Sequence, residues 1–404
     1  MAVKGRCRGE GPSRRDFVDV AGAAVFAGAA SGFSFQEKQQ QQTAEKPPEP
    51  FDPDSIRTNI ATALAMPRTP QSLPGRFPGV VAEVLNPAAT ECRNPNHADA
   101  LAASAMLAEG MQALTGAADP RDAWALFASP GERIGIKINP VGGKLLSNTH
   151  ELLQAIVAGL ESAGIPRSDI VIWDRFDDRL AENGYTAENY PGVGFTGLLH
   201  TETVDGREVM LGDDRLDKSI WYEFDYETEY DEFWAPRQIN VGKRSYFTTI
   251  LTQKLDKVIN VPVLKNAGKM VTLCLKNMSF AATSNCRRGH KIMNRFLTEV
   301  CAFPPVRDKL VLNIIDGLRG CYEGGPAAVA KYIWQPNRIW IATDPVAADK
   351  VGWDFIFKKR VEQGIAQAGD LEHDRKTYDF LARAENLGLG VYSGKPIDHR
   401  RIEP

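Results

Sequence analysis

Residues 133–174 read RIGIKINPVGGKLLSNTHELLQAIVAGLESAGIPRSDIVIWD, and the architecture of the chain follows from them. Ile134-Gly135-Ile136-Lys137-Ile138-Asn139 alternates as a strand does, and Pro140-Val141-Gly142-Gly143-Lys144 breaks the alternation. Asn148, with Glu151 three positions on, has the form of a capping box, so a helix is expected from there to Gly164, with Pro166 as the stop beyond it. Ile170-Val171-Ile172-Trp173-Asp174 then reads as a second strand. Strand, crossover helix, strand is a βαβ unit, which makes the two strands parallel neighbours.

Three apolar runs further on have the look of strands from the same sheet: 258–263, 310–315 and 339–342. Upstream, 79–84 is a shorter strand candidate, and helices are expected over 54–66, 98–115, 345–359 and 373–387. Runs without polar alternation suit strands covered on both faces, so the expected fold is α/β, a Rossmann-like, largely parallel sheet flanked by helices. Residues 53–404 read as one such domain, with a β-rich insertion at about 194–252. Within the insertion, residues 221–234 are rich in aromatic and acidic side chains, and residues 222–227 alternate between them, a period of two that suits a hairpin with one face packed.

Of the 404 residues, 43% are hydrophobic and 25% charged, which excludes global disorder, and the net charge of −3 argues against a nucleic-acid binder. The N-terminus reads as an address. Ser13-Arg14-Arg15-Asp16-Phe17-Val18 resembles a twin-arginine export signal, with a small-residue apolar run to Phe35 and Ala27-Gly28-Ala29 as a cleavage site. Residues 36–52 are a low-complexity tether. The first 35 residues carry five basic and three acidic side chains, so the mature chain moves from −3 to −5. The expected location is the periplasm or another exported site, with the export machinery as a partner. An uncleaved signal would leave a membrane tether, but the mature chain has no stable span. The remaining cysteines, at 92, 274, 286, 301 and 321, contain no C-x-x-C pair and read as buried thiols, with one disulfide as the alternative.

Each expected strand ends in a polar residue: Asn139, Asp174, Lys265, Asp316 and Asp344. In open parallel sheets ligands bind outside the carboxyl ends of the strands, so these five would share one crevice. The alternative is that the Asp and Asn side chains only cap following helices. Basic residues cluster after them, with Lys265, Lys276-Asn277 and Arg288-Gly289-His290 close in sequence and Lys137 inside the first strand. A buried ammonium needs an anionic partner, so Lys137, Lys265, Lys276, Arg288 and His290 are read as an anion pocket, with Asn139 and Asn277 orienting the ligand. Asp316-Gly317 to Glu323-Gly324-Gly325-Pro326 places carboxylates around a glycine loop. There Asp316 and Glu323 could act as acid and base or, with Asp344, hold a divalent cation.

Together these segments resemble the domain of unknown function 362 family. The resemblance rests on Ile136-Lys137-Ile138-Asn139; on Val261-Pro262-Val263-Leu264-Lys265 followed by Val271-Thr272 and Lys276-Asn277; on Asp316-Gly317 with Glu323-Gly324-Gly325-Pro326; and on Asp344-Pro345-Val346-Ala347-Ala348-Asp349. It spans about residues 80–360 and implies a fold and a site, not a reaction. Lys265-Asn266-Ala267 lacks the histidine that family members often carry two residues after that lysine, and the chain lacks their ferredoxin-like cysteine clusters. The expected function is binding or transformation of a small phosphate or carboxylate, with metal assistance from the acidic trio. The alternative is a non-catalytic binding or redox accessory protein that loads its cofactor before export.

Overall fold

The computed structural model describes residues 52–90, 97–204, 207–226 and 242–403. The export signal, the tether up to residue 51, Cys7, Cys92 and residues 227–234 of the aromatic and acidic stretch lie outside the described residues.

The chain opens with α1 (Ile60–Ala65), β1 (Val80–Leu85), α2 (Ala100–Thr115) and α3 (Pro120–Ala125). The βαβ unit follows as β2 (Ile134–Lys137), α4 (His150–Ser162) and β3 (Ile170–Phe176), then α5 (Asp177–Glu182). Next come β4 (Gly194–Val204), β5 (Arg207–Leu211), β6 (Leu216–Glu223) and β7 (Arg244–Thr248). The central run is β8 (Lys257–Asn260), β9 (Val263–Ala267), β10 (Met270–Thr272), α6 (Cys274–Ala282), α7 (Met293–Ala302) and α8 (Pro304–Arg307). The chain closes with β11 (Leu310–Cys321), β12 (Ile333–Trp334), β13 (Arg338–Ala342), α9 (Pro345–Glu362), α10 (Asp370–Thr377), α11 (Phe380–Asn386) and β14 (Asp398–Ile402).

The main sheet runs β14-β1-β13-β11-β8-β2-β3-β4-β5, with β9, β10 and β12 attached beside β11. Strands β11, β8, β2, β3 and β4 are mutually parallel, with Ile136 set between Ile259 and Ile172. The fold is therefore the expected α/β sheet with helices on its faces. From β2 the chain crosses through α4 to β3 on one side. From β8 it crosses through α6 and α7 to β11 on the other side, so the direction of winding reverses between β2 and β8. Right-handed crossovers diverging from that point place their helices on opposite faces. Ile134, Ile136, Ile138, Ile170 and Ile172 pack with Leu107, Leu153 and Ile156 of α2 and α4. On the other face Trp173 and Leu255 join Leu275, Met278, Phe296 and Val346. Gly135 points that way because a Cβ there would sit 2.3 Å from Leu255 Cδ1 and 2.9 Å from Trp173 Nε1.

The antiparallel exception in this largely parallel core is β13, which is antiparallel to both β11 and β1. A parallel return needs a crossover of a dozen or more residues, usually a helix. After Cys321 the chain has only a Gly- and Pro-rich loop and one 3-10 turn, Ala330–Tyr332, so it folds back as a hairpin. Asp316 is not the end of a strand either: β11 runs through it to Cys321, with a register shift between Asp316 and Gly320.

Smaller differences have local causes. The N-cap of α4 is Thr149, one residue later than the capping box suggests, because Asn148 turns inward and Glu151 bonds His97 and the Ala98 amide at 2.8 and 2.9 Å. The helix expected over 54–66 is a 3-10 turn, Pro53–Ser55, followed by the short α1, and that over 373–387 is split into α10 and α11. In the 194–252 segment, β4 joins the main sheet beside β3, whereas β6 and β7 pair separately. Tyr222 and Phe224 of the alternating stretch are fully buried against Phe296, the packed face that a period of two implies. Cys274, Cys286, Cys301 and Cys321 are free thiols. Among the described residues no helix is long and apolar enough to cross a membrane.

Candidate functional site

The carboxyl ends of β2 and β8, where the winding reverses, are also where the polar side chains converge. Lys137 is the last residue of β2, and Lys265 lies in β9, which leaves the end of β8 after only Val261 and Pro262. Both ammonium groups are fully buried, and Lys276, at the start of α6, is nearly so. Among the described residues Asp174, toward the end of β3, is the one carboxylate bonded to any of them, at 2.6 Å from Lys137 Nζ. Lys137 spends its other two hydrogens on Ile138 O at 2.6 Å and Asn277 Oδ1 at 3.0 Å.

A row of amides runs from these lysines across the sheet. Lys265 Nζ donates to Asn139 Oδ1 at 2.7 Å, and Asn139 Nδ2 to Asn277 Oδ1 at 2.8 Å. Asn277 Nδ2 donates to Asn260 Oδ1 at 2.7 Å, Asn260 Nδ2 to Asn313 Oδ1 at 2.9 Å, and Asn313 Nδ2 to Thr343 O at 3.3 Å. Asn148 holds the loop beneath, accepting the Asn139 amide at 2.6 Å and donating to Val261 O at 2.9 Å. Buried amides are costly unless hydrogen-bonded, and here each finds its partner in the next. Asn148, Asn260 and Asn313 are members that the sequence reading missed as site residues. Their signal was present: Asn260 and Asn313 are the lone polar residues of the apolar runs 258–263 and 310–315.

The electrostatics favour an added negative charge. Burial lowers all three lysines; Lys265 is pulled down to about 7 and Lys276 to about 8. Asp174 opposes this for Lys137 and Lys265, whereas for Lys276 burial is the only cause. Among the described residues Lys276 Nζ has no carboxylate partner and rests 5.7 Å over the Phe280 ring. Phe280 in turn meets the exposed His290 edge-on at 4.8 Å, so Lys276, Phe280 and His290 form a file from the interior to the surface. Helix α6 is fixed at both ends: Asp349 accepts the Cys274 and Leu275 amides at 2.6 and 3.2 Å, and Arg175 donates to Phe280 O and Thr283 O. Opposite charges at the two termini suit the helix dipole.

Arg288 does not join the three lysines. Its guanidinium lies 3.8 Å over the Phe224 ring and donates to Phe224 O, Tyr226 O, Lys243 O and Ser245 Oγ, where it binds the β6–β7 hairpin to the helical face. The acidic trio does not assemble either. Asp316 accepts the Thr149 amide at 2.6 Å and its hydroxyl at 3.2 Å at the head of α4. Burial outweighs those bonds and holds Asp316 up at about 6. Glu323, in the hairpin loop, is paired with Arg360 at 2.8 Å. Asp344 caps α9 and accepts the Gly79 and Val391 amides, and it follows β13, which lies three strands across the sheet from the β2 of Lys137. Among the described residues no group of three or more His, Cys, Asp or Glu is placed to hold a metal ion.

The fold and this cluster define a doubly wound α/β protein with buried polar side chains at its topological switch point. A family model described as a domain of unknown function, DUF362, matches residues 134–354, from the first residue of β2 into α9. The chain belongs to that family. No match was found among curated proteins.

Proposed function

We propose that this protein binds a small anionic molecule, a phosphate or a carboxylate, in the crevice at the carboxyl ends of β2, β3 and β8. The observation that supports it is the charge balance: Lys137, Lys265 and Lys276 are buried together with, among the described residues, a single bonded carboxylate, Asp174. Buried charges are ordinarily paired, and an anionic ligand would pair the two that are not. Lys276, Phe280 and the exposed His290 connect this region to the surface.

Truncating Lys276 to Met keeps the apolar stem and removes the charge. The expected loss is about 1.5–3 kcal/mol of binding, roughly tenfold to a hundredfold in Kd, measured by calorimetry with phosphate, succinate and related anions. A wild type that none of these anions stabilises in a thermal-shift screen would overturn the proposal.

We further propose that the chain is exported by the twin-arginine route, on the strength of Ser13-Arg14-Arg15-Asp16-Phe17-Val18. Replacing Arg14 and Arg15 together by lysine should keep it in the cytoplasm, since a guanidinium fork and an ammonium differ in geometry. Cell fractionation would show periplasmic accumulation at the wild-type level if the assignment is wrong.

A further inference from the structure

The three buried lysines are not equivalent. Lys137 has all three hydrogens committed, one of them to a carboxylate, and is fixed as an ammonium. Lys276 stands on the file to the surface, over an aromatic ring. Among the described residues Lys265 has a single acceptor, the neutral Asn139 oxygen, and no carboxylate bonded to it. One donated hydrogen is what a free amine can offer while keeping a second hydrogen and its lone pair.

Resting on the anion-binding reading, we propose that Lys265 is a nucleophilic amine and that the ligand is a small oxo acid, held as an imine on Lys265 Nζ. The groups around Lys265 suit this chemistry. Its fall to about 7 comes first from burial, with Lys276 of α6 and Lys137 of β2 opposing its charge and Asp174 of β3 and Cys321 of β11 supporting it. A lysine desolvated beside other cations is an activated nucleophile at neutral pH. Asn139 aims the nitrogen, Lys276 receives the ligand's carboxylate, and burial excludes the water that would hydrolyse the product.

The condensation balances without a co-reactant. The nitrogen lone pair forms the new N–C bond, and the carbonyl π pair moves to oxygen. That oxygen leaves as water with two of the three hydrogens of the Lys265 ammonium form. The third hydrogen stays on the iminium, so the charge on the nitrogen is conserved.

The test is reductive trapping. Full-length protein is incubated with pyruvate or 2-oxoglutarate and sodium cyanoborohydride, then analysed by intact mass and peptide mapping. One adduct per chain, on Lys265, is expected, forming faster as pH rises from 6 to 8. Lys265→Arg, which keeps the charge and cannot condense in this way, should carry none. The wild-type map decides the matter even if that variant does not fold. No adduct, or adducts spread over surface lysines with Lys265 unmodified, overturns the inference. If phosphate or succinate stabilises the wild type in that case, anion binding survives alone; if no anion does, both readings fall.

Discussion

Alanine at position 174 is expected to destabilise the protein by about 3–5 kcal/mol, the usual cost of removing one partner from a buried ion pair. Asp174 is 3% exposed, and its removal leaves Lys137, Lys265 and Lys276 facing one another with no bonded carboxylate. A buried ammonium without a counter-charge escapes by losing its proton. The cost should therefore be largest near pH 6 and shrink toward pH 9, which urea denaturation at the two pH values would show. The companion double variant, Lys137→Met with Asp174→Leu, deletes both charges and should recover much of the loss. A loss from Asp174→Ala below about 1 kcal/mol at pH 6 would show that the pair is not buried as described.

The second large effect is an inverted pH profile for the ligand-free protein. Lys265 and Lys276 fall from the ordinary 10.5 to about 7 and about 8, so between those values and 10.5 the unfolded chain binds more protons than the folded one. Stability then rises with pH across that window, by up to about 1.4 kcal/mol per pH unit for each proton. Asp316 and Asp344 rise from 3.8 to about 6, and Asp349 to about 7, all chiefly through burial. For these the folded chain binds more protons, so stability falls as pH climbs from about 4 to 7. The two limbs meet in a minimum near neutrality. Urea midpoints from pH 5 to 10 would trace it, and Lys265→Met with Lys276→Met should flatten the alkaline limb to what Lys137 and Lys309 contribute while leaving the acid limb in place. A stability maximum at pH 7 would contradict the burial of these groups. An anion bound to the lysines would fill the trough, because it favours their charged forms.

Much of this was legible in the sequence, and the parts that were not share a cause. The β2–α4–β3 unit could be read from period, breaker and stop, because those are local properties of the chain. Lys137, Asn139 and Lys265 come together because strand ends in a parallel sheet converge whatever the loops do, and Asn277 joins them from the first turn of α6. The position of Asp344 depended on the direction of β13, which is set by what the chain lacks after Cys321, a crossover helix. Arg288 stood in the same basic cluster as Lys276, yet its acceptors are backbone carbonyls of a hairpin far away in sequence. No pattern of side chains announces such a partner. Asp349 was quoted as part of a motif without a role; its role is to cap α6 from across the molecule.

The amide row has a consequence for how this sequence can change over generations. Its four asparagines all face the same way, each presenting oxygen toward the lysines and nitrogen toward Thr343. Aspartate at Asn260 would set an oxygen against the oxygen of Asn313, and leucine there would strand Asn277 and Asn313 on either side. Each single step passes through a buried polar group without a partner, which costs about 1–3 kcal/mol. The four positions are therefore inherited as a block: mutation can retain the row or replace it, but has no inexpensive path through its middle.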